Sequence, residues 1–145
     1  MTLPTLRDRL DRWFEELWVH RNGAMIDEMV DPECTVHGLP GAKHGPAGFR
    51  PFYELFCRAF SRMEIRIDES VESGDRIAFR CTVTALARDG TAHQFTGGGM
   101  VTFRGERMIE AWNIFDQLSL MKTMGQVPEE TFVNALLAQA KLVAS

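Results

Sequence analysis

The chain has 145 residues, of which 45% are hydrophobic and 25% charged, with a formal net charge of −4. These values predict one soluble globular domain over residues 1–145 and give no electrostatic support for binding nucleic acid. Charges run through the first apolar segment, and no apolar run reaches the length of a membrane span. We therefore expect no signal peptide, no membrane partner and a cytoplasmic location.

The first part of the chain has helical periodicity. The apolar residues at this spacing are Leu6, Leu10, Trp13, Phe14, Leu17 and Trp18, and they predict a helix that ends near Asn22-Gly23. A short second helix at 24–30 is expected before Asp31-Pro32. A short strand at 33–38 and a Gly/Pro-rich loop at 39–48 follow. A third helix then has one aromatic face, formed by Phe49, Phe52, Tyr53, Phe56 and Phe60.

The period then changes to two, which is typical of strands. Turn sequences at 73–75, 89–90 and 104–107 separate four long runs, the last of which extends from about Met108 to Leu120. Long runs joined by tight turns predict an antiparallel meander. Pro128 is expected to begin a final helix. Helices first and strands later indicate an α+β fold.

Long antiparallel strands curl, and the glycines at 97–99 lie inside one of them. Glycines within a strand permit a bend, a bulge or a close approach of another backbone. A curled sheet closed by helices forms a cone with an internal cavity, which is the natural place for a ligand. The exposed outer face of such a sheet needs covering, so we expect a homodimer.

The three cysteines, Cys34, Cys57 and Cys81, are widely spaced and include no CxxC pair. We interpret them as reduced and mostly buried thiols. No His or Asp is placed by the sequence to activate one of them as a nucleophile. The histidines show no HExxH or similar metal-binding pattern.

Three stretches of the sequence carry a family resemblance, namely HGLPGAKHGPAGFRPFYELFCRAF, ESVESGDRIAFRCTVTA and FTGGGMVTFRGERMIEAWNIFD. Together they resemble the SnoaL-like polyketide cyclases of the NTF2-like superfamily. The resemblance implies an NTF2-like cone, in which a curved antiparallel sheet is wrapped by N-terminal helices. It also implies aldol-type acid–base chemistry without a metal or cofactor. The aspartate that closes the Trp-x-x-x-Asp pattern is the family's general acid/base, and here it is Asp116. Limonene epoxide hydrolases carry an aspartate where this chain has Ile114, so their mechanism is not expected.

Period two places Trp112, Ile114 and Asp116 on one strand face and Asn113 on the other. If Trp112 faces the cavity, Asp116 does too, and an apolar cavity would raise the pKa of its carboxyl. Asp116 would then remove a proton next to a carbonyl, after which the enolate closes a ring or shifts a double bond. In the other interpretation Asp116 caps a strand end or pairs with an arginine.

Other residues are candidates for binding the substrate or stabilising an oxyanion. His37 could donate a hydrogen bond to an enolate oxygen, although histidines in this position more often hold a loop. The hydroxyl of Tyr53, the only tyrosine, could orient a carbonyl group. The residues expected to line the pocket are Phe14, Trp18, Tyr53, Phe56, Met100, Trp112 and Ile114; each of them could equally be plain core. The roles of His93 and Asn113 stay open.

Two hypotheses about function follow. The first is a cofactor-independent cyclase or isomerase that acts on a small, hydrophobic, polyketide-like carbonyl compound. The second is a cone without chemistry that binds an apolar small molecule or serves as a dimeric assembly module. The second hypothesis predicts that Asp116 is ion-paired or exposed to solvent.

Overall fold

The computed structural model describes residues 2–41 and 44–144. Over these ranges the helices are α1 (Leu6–Phe14), α2 (Ala24–Met29), α3 (Gly45–Ala59), α4 (Gln117–Thr123) and α5 (Thr131–Ala144), and a π-helical turn (Glu15–Val19) continues α1. The strands are β1 (Val30–His37), β2 (Phe60–Ser73), β3 (Arg76–Ala87), β4 (Ala92–Arg104) and β5 (Arg107–Phe115).

The five strands form one sheet in the order β1-β5-β4-β3-β2. Strands β2 to β5 are an antiparallel meander, as the sequence predicts, and β1 pairs with β5 in parallel at the edge. Helices α1 and α3 lie against the concave face of this curved, unclosed sheet. The structure therefore confirms the α+β cone.

Helix α1 begins where local chemistry favours it. The hydroxyl of Thr5 accepts a hydrogen bond from the backbone N–H of Asp8, and the Asp8 carboxylate accepts one from the backbone N–H of Thr5. This reciprocal capping box satisfies two N–H groups that the helix itself leaves unpaired. One face of the helix then buries Leu10, Trp13 and Phe14 in the core.

Several predicted boundaries are wrong. Strand β1 begins at Val30 rather than at residue 33, and α5 begins at Thr131 rather than at Pro128.

Two further differences lie beside the cavity. Strand β5 ends at Phe115, because Asp116 caps helix α4, which occupies most of the segment predicted to continue the strand. Helix α3 begins at Gly45, inside the predicted loop, with a proline in its first turn. Proline is well suited to that position because the N–H it lacks would be unpaired there anyway.

A β-bulge in β5 decides which side chains face the interior. Thr102 pairs with Glu110 and Phe103 pairs with Met108, so Ile109 is an extra residue between the two pairs. Such an insertion exchanges the two faces of the strand beyond it. After the bulge, Asn113 and Phe115 line the interior, while Trp112 and Ile114 are 50% and 75% exposed on the outer face.

The glycine run in β4 permits close approach, as predicted. A Cβ atom at Gly97 would overlap the ring of Phe115, and one at Gly99 would overlap the backbone carbonyl of Trp112. Because these two glycines have no side chain, the end of β5 and the Phe115 ring can pack closely against β4. Among the described residues, no helix has the length and apolar character needed to cross a membrane.

Candidate functional site

A cavity of about 230 Å³ lies between the concave face of the sheet, helices α1 and α3, and the start of α4. Its lining residues are Trp13, Phe14, Trp18, Leu39, Pro40, Phe49, Phe52, Leu55, Phe56, Met63, Ile65, Val83, Phe95, Asn113, Phe115, Gln117 and Leu120. The exposed members of this set, Pro40, Leu55 and Gln117, mark where the cavity meets solvent. The mouth thus lies between the loop after β1, helix α3 and the first turn of α4.

The polar side-chain groups of this lining are few and uncharged. They are the amides of Asn113 and Gln117 and the indole N–H groups of Trp13 and Trp18. The lining contains no Asp, Glu, His, Lys, Arg, Cys or Tyr side chain. The cavity can therefore hold a neutral, mainly apolar molecule, and its walls offer hydrogen bonds rather than a group that exchanges protons near neutral pH.

A second, inner chamber of about 40 Å³ adjoins the main cavity. The two chambers share five lining residues, which are Trp13, Phe14, Leu39, Phe49 and Asn113. The inner chamber also reaches the thiol of Cys34, whose pKa burial raises to about 11. A space of this size suits one water molecule or a methyl group.

Asn113 stands at the junction of the two chambers and is fixed by the backbone. Its Nδ2 donates a hydrogen bond to the carbonyl oxygen of His37 over 3.0 Å and lies 3.5 Å from the carbonyl oxygen of Ala111. A carbonyl oxygen can only accept, so the amide group that faces both carbonyls must be the NH₂ end. These bonds tie the end of β1 to β5 and hold the start of the loop that brings Leu39 and Pro40 over the cavity.

Asp116 is exposed at the N-terminus of α4, outside the cavity lining. Its carboxylate accepts hydrogen bonds from the backbone N–H and the hydroxyl of Ser119, over 3.0 and 2.6 Å. These bonds hold the pKa of the Asp116 carboxyl below its usual value. The expectation of a buried carboxylate with a raised pKa is wrong, because the bulge and the helix cap turn this side chain towards solvent.

His37 and Trp112 form a pair on the outer face of the sheet. Their rings stack with centroids 3.7 Å apart and an interplanar angle of 11°. The Glu110 carboxylate lies 3.5 Å from Nε2 of His37, although no described group hydrogen-bonds this nitrogen. The structure thus places His37 on the opposite side of the sheet from the cavity.

Apart from Tyr53, the residues predicted to line the pocket divide into two groups. Phe14, Trp18 and Phe56 line the cavity. Met100, Trp112 and Ile114 do not, because they are exposed on the outer face.

Tyr53 is buried behind the wall, where its hydroxyl donates to the carbonyl oxygen of Leu17 over 3.1 Å. Burial raises the pKa of this phenol to about 12. The hydroxyl is thus occupied by the π-helical turn, and the predicted role in orienting a carbonyl is not supported by its position.

His93 is buried in β4 and contacts Thr123, which links α4 to the sheet. Its Nδ1 lies 2.9 Å from the hydroxyl oxygen of Thr123, and that hydroxyl donates to the carbonyl oxygen of Leu120. These contacts hold the His93 ring against the last turn of α4. Among the described residues, no cluster of three or more His, Cys, Asp or Glu side chains could hold a metal ion.

Sequence reasoning missed Asn113, Phe115 and Gln117 as lining residues. The period of two correctly places Asn113 and Phe115 on the same face of β5, but the extra residue Ile109 turns that face towards the interior. The pair Gly97 and Phe115 was an available signal, since a glycine facing a large ring allows that ring to pack against the strand.

The comparisons with known proteins agree with the fold. The family model for the SnoaL-like domain matches residues 10–111, and the chain belongs to that family. A search of curated proteins found no match. The fold of the chain is that of the NTF2-like cones.

Three solved structures illustrate the likeness in fold. A proposed polyketide cyclase from Acidithiobacillus ferrooxidans shares 23% identity, with 87% of this chain and 99% of that one covered and a TM-score of 0.75. IdmH, a proposed polyketide cyclase from Streptomyces antibioticus, shares 20% identity over 82% of this chain and 97% of that one, with a TM-score of 0.71. AclR, a proposed hydroxylase from Streptomyces galilaeus, shares 18% identity over 86% of this chain and 100% of that one, with a TM-score of 0.71.

Proposed function

We propose that this protein binds a small, neutral, mainly apolar molecule of about two fused rings in its cone. The observation that carries the proposal is a cavity of about 230 Å³ with an aromatic lining that contains no ionisable side chain. An apolar cavity of about 150 Å³ takes up benzene, so the larger volume here suits a bicyclic compound. A carboxylate or ammonium ligand would find no counter-charge on these walls and would lose its hydration.

An NMR shift titration with 2-methoxynaphthalene tests this proposal. Saturable binding with a dissociation constant on the order of 0.1 mM is expected, which is typical of a dozen well-buried non-hydrogen atoms. Val83→Phe puts a ring into the cavity from β3 and should abolish binding. Val71→Phe puts the same ring on the exposed outer face of β2 and should leave binding intact. Absence of saturable binding to the wild type would refute the proposal.

Catalysis of the cyclase type is a second candidate, favoured by the SnoaL-like family and by the position of Asp116 next to Gln117 at the cavity mouth. In this candidate the Asp116 carboxylate takes a proton from the carbon next to a substrate carbonyl. The resulting enolate carbon forms a bond to a second carbonyl carbon, and Asp116 returns its proton to the new alkoxide. The lowered pKa of Asp116 makes it a weak base, so this candidate requires the carboxylate to leave Ser119.

Proton abstraction can be measured without the natural substrate. The neutral bicyclic ketone 2-tetralone exchanges the hydrogens next to its carbonyl for deuterium in D₂O, and NMR follows the rate. Catalysis by Asp116 predicts faster exchange with the wild type than with Asp116→Asn. Asp89→Asn is the matched control, because Asp89 is also exposed and its pKa is lowered by Thr91 in a distant turn. Equal rates with wild type and Asp116→Asn would leave binding alone as the function.

We also propose that two copies associate through the outer face of the sheet. One row of side chains crosses all five strands in register, namely His37, Trp112, Met100, Ala78 and Val71. Helix α5 carries an exposed stripe formed by Phe132, Val133, Leu136 and Leu137. An isolated helix of 14 residues is marginal in water.

The row across the sheet and the stripe on α5 are similar in length, so we propose a second copy of this chain as the partner that covers both. Helix α5 is about 21 Å long, and the row spans about 19 Å at the usual strand spacing. A standard interface buries ~800 Å² per partner, and most of the apolar side chains of the two surfaces are exposed by about half or more.

Light scattering or sedimentation should therefore give the mass of a dimer. Ile114→Glu and Leu136→Glu should shift it towards the monomer, whereas Leu3→Glu, on an exposed terminal leucine, should not. A monomeric wild type would refute the dimer.

A further inference from the structure

We infer that the molecule bound in the cone presents a hydroxyl or another hydrogen-bond donor to Oδ1 of Asn113. This inference rests on the proposed binding function and specifies the class of its ligand. It concerns the one wall group whose orientation the backbone determines.

The NH₂ end of the Asn113 amide is already engaged. Its Nδ2 faces the carbonyl oxygens of His37 and Ala111, at 3.0 and 3.5 Å. Turning the amide over would bring Oδ1 against the same two oxygens, so that two acceptors would face each other without a proton. The amide is therefore locked with its oxygen directed away from the two strands.

Among residues 2–41 and 44–144, none donates a hydrogen bond to Oδ1 of Asn113. Of the hydrogen bonds formed by the Asn113 side chain among the described residues, both use Nδ2 and none uses Oδ1. Asn113 nevertheless lines both the main cavity and the inner chamber. Its oxygen is therefore the acceptor that the walls offer at the junction of the two chambers.

Of the remaining polar groups on the lining, the Gln117 amide is exposed at the mouth and the two indoles are buried. The indole N–H groups of Trp13 and Trp18 can only donate, and no described hydrogen bond uses them. A ligand that carries only acceptors would therefore leave the Asn113 oxygen unpaired in an apolar setting, which is costly. A hydroxylated aromatic or an enol satisfies it, with the hydroxyl at the junction and the rings among the aromatic side chains.

A matched pair of probes tests this inference on the unmodified protein. 2-Naphthol and 2-methoxynaphthalene have the same ring system, but only the naphthol can donate a hydrogen bond. We expect 2-naphthol to bind the wild type about tenfold more tightly, because one buried acceptor is paired in one complex and unpaired in the other. Asn113→Leu should bring the ratio of the two dissociation constants close to one. Asn134→Leu makes the same change on the exposed surface of α5 and should keep the wild-type ratio.

The possible outcomes separate the two proposals. Equal affinities of the wild type for the two probes would overturn the donor inference and leave the binding function standing. Binding of neither probe would overturn both. A preference for naphthol that survives in Asn113→Leu, or that is lost in Gln117→Leu instead, would assign the acceptor to another group and overturn the inference.

Discussion

The side-chain amide of Asn113 donates a hydrogen bond to the backbone carbonyl of His37 over 3.0 Å. This bond joins the last residue of β1 to the cavity-facing side of β5. Directly after it, Gly38 has a φ of +83°, and a Cβ there would overlap the backbone carbonyl of Asn113. This hydrogen bond thus fixes both the start of the loop after β1 and the orientation of the Asn113 amide at the junction of the two chambers.

Loss of this contact should be measurable as stability. Asn113→Leu removes the donor and leaves the His37 carbonyl without that partner, so we expect the free energy of unfolding to fall by about 1–3 kcal/mol. Urea unfolding followed by circular dichroism measures it. Asn134→Leu, on an exposed helix surface, should change it by less than about 0.5 kcal/mol. Equal effects of the two substitutions would mean that the hydrogen bond contributes nothing.

Asp116 should stabilise the fold through its charge. Hydrogen bonds from Ser119 lower the pKa of its carboxyl in the folded state, so ionisation favours folding. This contribution is complete above the unfolded pKa of about 3.9 and is lost as the pH falls through the lower folded value. Asp116→Ala should cost about 0.5–2 kcal/mol at pH 7, as expected for a lost helix cap.

The pH dependence distinguishes this account from a strained, buried carboxylate. The stability difference between wild type and Asp116→Asn should favour the wild type at pH 7 and shrink below about pH 4, as thermal unfolding at several pH values can show. An asparagine variant that is more stable than the wild type, by a margin that grows as the pH rises, would contradict the exposed cap.

Gly97 should tolerate no side chain. Its Cβ would meet the Phe115 ring and the carbonyl oxygen of Ile114, so Gly97→Ala must displace β5 or push the ring into the cavity. We expect a loss of about 1–3 kcal/mol, which is usual for overpacking, together with weaker binding of 2-methoxynaphthalene. Gly23→Ala is the control, because a Cβ there meets nothing nearer than 3.9 Å. Similar losses for both variants would show that Gly97 is not a packing constraint.

Tyr53 offers a spectroscopic test of the wall, because it is the only tyrosine in the chain. Burial raises the pKa of its phenol to about 12. Absorbance at 295 nm should therefore show no phenolate while the protein stays folded at about pH 10, where an ordinary tyrosine is half ionised. A phenolate signal with an ordinary midpoint in the folded protein would place the hydroxyl in water rather than against Leu17.

The sequence was sufficient for the meander, the first three helices and the cone, because their signals are periodicity and turn composition. It also predicted that Phe14, Trp18 and Phe56 face the interior, because they lie on helical faces or turns whose inward side is fixed by many apolar residues. It failed at β5, where one extra residue at Ile109 reverses the faces without a glycine or proline to mark it. It left two interpretations of Asp116 open, and the exposed cap agrees with the structure while the buried carboxylate does not; an aspartate three residues before a serine is a helix cap only if the strand has already ended.

The most direct test of the central claim locates the bound molecule. Intermolecular nuclear Overhauser effects between 2-methoxynaphthalene and methyl-labelled protein identify the surface that it contacts. We predict contacts with the methyl groups of Val83 and Leu120, which line the cavity, and none with those of Val71 and Ile114, which lie on the outer face. Contacts confined to Val71 and Ile114 would contradict the account and would make the outer face of the sheet, rather than the cone, the place where small apolar molecules bind.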